Sequence, residues 1–191
     1  MHRLELKWLT LLPILIASPL ILEHDVRAAT IALESSTPSV GSGELVEIRI
    51  YGSGFDEGTD GGDFALSWPS SLSFVALSIE DPPWDLSAYD AAGAVTGSIS
   101  FVDVFSFIDT PGTAGVRFEI ATLTLLAGAV GNSQIAIGPA AVGWSLAGSD
   151  LDTGYGPPVS IEILAVPEPT TGCLFGLGLA LLCGRGQRRP I

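Results

Sequence analysis

Between Ala29 and Ala165 the chain has no cysteine, no histidine and no lysine. Each absence removes a class of chemistry. Ser-His-Asp and Cys-His nucleophilic catalysis cannot be assembled without imidazole or thiol. A zinc site of His and Cys ligands is excluded for the same reason, and Schiff-base chemistry fails for want of a lysine. Disulfides cannot staple the segment, because both cysteines, Cys173 and Cys183, lie beyond it. About 137 residues therefore have to bury a core unaided, which is one domain's worth and sufficient. Basic residues are almost as scarce. Arg49 and Arg117 face 17 carboxylates, a formal charge of −15. Such a surface repels nucleic acid and anionic headgroups. Carboxylate chemistry alone survives, as in a two-carboxylate glycosidase, but no pair stands out for it. The segment reads as non-enzymatic.

What is present is β pattern. Val46, Ile48 and Ile50 alternate with Glu47 and Arg49 in the run Leu45 to Tyr51. Phe64 to Trp68 and Leu72 to Ile79 read as a pair of strands joined by a turn at Pro69-Ser70-Ser71. Ser98 to Phe107 mixes Ile, Phe and Val. From Val116 to Leu126 the pattern places Val116, Phe118 and Ile120 against Arg117, Glu119 and Ala121. Ser133 to Ile137 and Val159 to Leu164 complete the set. No stretch carries a sustained helical period. The expectation is an all-β, antiparallel sandwich.

The two ends of the chain read as addresses. Arg3 and Lys7 precede an apolar run from Trp8 to Leu22, and Val26-Arg27-Ala28 offers small residues for cleavage after Ala28. An uncleaved N-terminal anchor is the alternative. From Val166 the chain reads Val166-Pro167-Glu168-Pro169-Thr170, then an apolar run from Thr171 to Cys183, then Arg185, Arg188 and Arg189. As a helix, those 13 or so residues span about 20 Å, short of the roughly 30 Å of a bilayer core. Flanking arginines can snorkel, and by the positive-inside rule they stay cytoplasmic. The predicted division is residues 1–28 signal peptide, 29–165 β-sandwich, 166–191 tail.

In order and spacing the tail resembles the PEP-CTERM sorting signal of Gram-negative bacteria. The resemblance implies recognition by an exosortase, a membrane-embedded cysteine protease-transpeptidase, with processing near Pro167 to Pro169. An ordinary C-terminal membrane anchor is the alternative. Within the sandwich, Val40-Gly41-Ser42-Gly43-Glu44-Leu45-Val46-Glu47-Ile48, Phe64 to Val75, and Ala121 to Ile137 resemble segments of cohesin-like domains. That resemblance implies a nine-stranded jelly-roll related to some carbohydrate-binding modules. It does not carry dockerin binding with it.

Two candidate sites remain. Asp56, Asp60 and Asp63 sit in the oxygen-rich, glycine-rich run Asp56 to Asp63, a candidate Ca2+ loop or a plain solvated loop. No other cofactor is expected. Trp84, in the loop Glu80 to Asp85, is a candidate sugar platform or an aromatic tucked against the sandwich edge. The functional expectation is an exported cell-surface or extracellular-matrix protein with a structural or adhesive role. Its expected partners are an exosortase, the membrane through the tail, and extracellular polysaccharide or another surface protein. The alternative is a carbohydrate-binding or dockerin-type recognition module.

Overall fold

The computed structural model describes residues 28–107 and 112–166. Within them lie thirteen strands: β1 (Ala29–Ser35), β2 (Ser39–Gly41), β3 (Leu45–Ser53), β4 (Gly61–Ser67), β5 (Leu72–Ile79), β6 (Leu86–Tyr89), β7 (Ser98–Phe105), β8 (Phe118–Ala127), β9 (Gly131–Gly138), β10 (Trp144–Leu146), β11 (Ser149–Leu151), β12 (Thr153–Tyr155) and β13 (Val159–Leu164). One short helix, α1 (Ala91–Ala94), joins β6 to β7. The strands form two sheets. One has the order β12-β1-β3-β8-β5. The other runs β11-β10-β4-β9-β13-β2, with β7 and then β6 added on β4.

The inward faces alternate as a half-buried sheet requires. Val46, Ile48 and Ile50 of β3 meet Ile135, Ile161 and Ile163 from the second sheet in one core. Trp144, Phe64 and Leu66 are among its largest fully buried side chains. A buried side chain of this kind contributes about 2 kcal/mol through the area it removes from water.

The sandwich is observed, with three departures from expectation. Two strand pairs are parallel, β1 with β12 and β13 with β2, so the sheets are not purely antiparallel. The strands also number thirteen among the described residues, not nine. The runs at Phe64 and Leu72 do not pair. β4 belongs to one sheet and β5 to the other, where it pairs with β8. The turn itself is present, Leu72 N–H donating to Pro69 O at 3.0 Å. It crosses between layers because Trp68 and Leu72 on either side are both buried. Three residues suffice to cross the roughly 10 Å between packed sheets.

In β8 the alternation slips. Ile50 pairs with Ala121 and Tyr51 with Glu119, leaving Ile120 as the extra residue of a bulge. Ile120 and Ala121 are consequently both fully buried, and Ala121 does not share the exposed face with Arg117. Arg117 instead lies over the Tyr51 ring, 3.8 Å from its centroid, and pairs with Glu34.

Candidate interaction face

The second sheet turns a largely apolar outer face to solvent along β6 and β7. Val102 and Val104 of β7 point into the core, so Phe101, Asp103 and Phe105 point outward. Leu86 stands opposite Phe105 across the β6–β7 ladder. The Phe105 ring meets that of Phe107 edge-on, centroids 5.0 Å apart. Leu86 is 56% exposed and Phe107 73%. Asp85 holds the end of this strip: one carboxylate oxygen accepts the Phe107 N–H at 2.9 Å and the Ser106 hydroxyl at 3.1 Å.

Asp63 builds the neighbouring surface. It opposes Asp103 across the β4–β7 ladder. Its Oδ2 accepts the N–H groups of Ala141 and Val142 at 2.9 and 2.8 Å, and its Oδ1 that of Gly143 at 2.7 Å. The 139–143 loop is thereby held against the sheet, leaving Val142 largely exposed. Burial, and secondly the Asp63 charge, raise the pKa of Asp103. A carboxyl whose pKa is higher folded than unfolded binds its proton more tightly when folded, so its contribution to stability grows as pH falls through that interval. Asp103→Asn is therefore expected to melt about 1 °C above wild type at pH 7. That gain should close as pH is lowered through the carboxylate range, as thermal denaturation at several pH values will read. Asp90, which caps α1, is the opposite case. The Gly93 N–H and the Ser100 hydroxyl hold its carboxyl below the usual range.

Asp56, Asp60 and Asp63, the candidate Ca2+ ligands, are not brought together as one group of oxygen ligands. Asp63 is buried and faces three N–H groups, which present positive hydrogens where a cation needs oxygens. Asp60 accepts the Ala147 N–H. Asp56 instead lines a groove of about 550 Å3 with Glu57, Asp152 and Phe55 beside Ala28. Among the described residues no group of three or more His, Cys, Asp or Glu is arranged to hold a metal.

Trp84 takes the tucked position of the two expected for it. It is 3% exposed, its ring edge-on to Phe118 and Trp144 with centroids 6.0 Å away in both cases. Trp68 and Trp144 are buried as well, so the three described tryptophans all serve the core. The apolar strip was the feature missed. Its signal lay in Ser98 to Phe107, where apolar residues occupy both phases of the alternation.

Ala28 is exposed immediately before β1. Val166 ends the described chain, while Pro167, Glu168, Pro169, Thr170, Arg185, Arg188 and Arg189 lie outside the described residues. Among the described residues no helix is long and apolar enough to cross a membrane.

Residues 165–189 match the model of the PEP-CTERM protein-sorting motif. No curated protein matches the chain. Solved cohesin structures share its fold. The cohesin module of a family 33 glycoside hydrolase from Clostridium perfringens is 10% identical with a TM-score of 0.60, over 73% of this chain and 98% of that one. The sixth cohesin of scaffoldin B from Acetivibrio cellulolyticus, solved in complex with a dockerin, is 11% identical with a TM-score of 0.59, over 72% and 99%. The seventh type I cohesin of a Pseudobacteroides cellulosolvens scaffoldin is 15% identical with a TM-score of 0.57, over 74% and 96%. At these identities the likeness is one of fold. The chain thus joins a cohesin-like sandwich to a C-terminal sorting motif.

Proposed function

We propose that this chain is an exported, non-enzymatic surface protein that displays its sandwich as a recognition module for another protein. In this reading a signal peptide ending at Ala28 starts export. The tail then enters the membrane, and an exosortase processes it near Pro167 to Pro169. The observation that carries the recognition role is the outward strip of Leu86 on β6, Phe101 and Phe105 on β7, and Phe107 just beyond β7. Apolar side chains interrupted by Asp103 and ended by Asp85 suit a partner whose own apolar patch carries basic residues. The similar cohesin of Acetivibrio cellulolyticus was solved with a dockerin, which makes dockerin-type modules the first partners to test. Burial of all three described tryptophans disfavours a sugar-stacking role.

Intact mass of the mature protein from cells with and without a functional exosortase tests the display half. A C-terminus between Pro167 and Pro169, dependent on the enzyme, is expected. A tail reaching Ile191 in both strains would leave a plain anchor. For recognition, capture of dockerin-type modules by the immobilised domain is compared with a Leu86→Asp/Phe107→Asp variant. Both side chains are exposed, so the variant folds, and binding is expected to weaken about 100-fold. Equal capture by both proteins would move the contact off this strip.

A further inference from the structure

Exposed apolar side chains gather at one end of the sandwich. Leu45, Leu126, Val130, Leu164 and Val166 are 57, 39, 62, 44 and 53% exposed. Leu45 pairs with Leu126 across β3 and β8. Ser42 ties their surroundings to the exit of the chain: its N–H donates to Leu164 O at 2.9 Å and its hydroxyl to Gly128 O at 2.6 Å. Gly43 N–H donates to Ala127 O at 2.7 Å. Val166 packs on Gly41, where a Cβ would meet its Cγ2 at 3.1 Å. Leu45 and Leu126 face outward from one sheet, and Leu164, next to buried Ile163, faces outward from the other. These side chains form a collar around the point where the chain leaves the fold.

Charge is distributed the opposite way. β3 and β5 run away from the collar, and the loops beyond them carry Asp56, Glu57, Glu80 and Asp81. The segments at the collar, residues 38–44, 69–71, 128–130 and 164–166, hold one carboxylate, Glu44. Its Oε2 accepts the Gly41 N–H at 2.9 Å.

We infer that this collar is the membrane-facing end of the domain and rests on a phospholipid surface. The inference depends on the tail entering the bilayer, as proposed above, and concerns the chain before an exosortase cuts it. From Val166 to the start of the apolar run at Thr171 there are five Cα steps, at most about 18 Å. An inserted tail therefore holds the collar close to the headgroup layer. Leucine and valine can enter that layer shallowly, and the carboxylate-poor end avoids repulsion by anionic lipid. The acidic end then points away from the membrane.

The test uses the full chain carrying Cys173→Ser and Cys183→Ser, with one new cysteine at a time: Val130→Cys, Asp150→Cys or Leu177→Cys. Each is labelled with a fluorophore and reconstituted in phosphatidylethanolamine/phosphatidylglycerol vesicles bearing nitroxide lipids. Labels at positions 130 and 177 are expected to lose most of their emission to the nitroxides, and the label at position 150 to keep it. Quenching at 177 without quenching at 130 would overturn the collar and leave the anchored tail standing. Quenching at neither would overturn both. A label at 130 shielded from lipid nitroxide and aqueous iodide alike would mean that a protein surface, such as a second copy, covers the collar, which also overturns the inference.

Discussion

Asp63→Ala is expected to cost about 2–4 kcal/mol of stability, a fall of roughly 10 °C in melting temperature. Three N–H groups, from Ala141, Val142 and Gly143, converge on this one buried carboxylate. Alanine leaves them facing an apolar methyl, and a buried donor without an acceptor forfeits its desolvation cost in full. Relief of the repulsion from Asp103 offsets a small part, since Asp103 is mostly solvated. Asp63→Asn should fall between the two, because a carboxamide keeps one acceptor oxygen and turns an N–H against the others. Amide exchange at Ala141 to Gly143 should accelerate in both variants before the rest of the sheet opens. A melting temperature within about 2 °C of wild type for Asp63→Ala would show that the 139–143 loop holds itself.

Trp84→Ala should destabilise by about 3–5 kcal/mol, the cost of deleting a large aromatic from a packed core. The indole sits between Phe118 and Trp144, so its loss opens a cavity between the sheets and the Glu80 to Asp85 loop. Trp84→Phe separates packing from polarity. The Trp84 N–H is buried with no hydrogen-bond partner among the described residues. Phenylalanine removes that unpaired donor while keeping much of the volume, so the variant should lie within about 1 kcal/mol of wild type. Denaturant titration of both variants checks the pair of values. If Trp84→Ala matched wild type, the loop would not be part of the core. A loss of ligand binding in Trp84→Ala, taken alone, would report unfolding.

The long strands were legible because they carry enough residues for alternation to show. β3, β5, β7, β9 and β13 fall within a residue or two of the runs read from sequence. β2, β10, β11 and β12 have three residues each, too few for a period, and their positions follow from the partners they find. The bulge at Ile120 was hidden for a related reason. An extra residue breaks phase without changing composition, so an uninterrupted alternation was the natural reading. At the sites the failures were long-range. Asp63 looks like part of an acidic glycine-rich loop because its neighbours do. It belongs to β4, and its donors arrive 78 to 80 residues later. Trp84 sits in a proline-rich loop that looks exposed until Trp144 closes over it. The sorting motif needed no tertiary information, since order and spacing along the chain are what define it.

The route by which the chain leaves the fold has a mechanical consequence. β13 is the last strand before the tail, and it is bonded on both sides, antiparallel to β9 over five residue pairs and parallel to β2 over three. Tension drawn through Val166 along the strand loads both ladders in shear, so their hydrogen bonds resist together and do not peel one by one. A module tethered beyond Val166, by the unprocessed tail or by whatever an exosortase joins it to, and gripped by a partner on its outer face would bear drag through a strand braced on both sides. Its lifetime under load would follow the rate of unfolding more closely than the equilibrium stability.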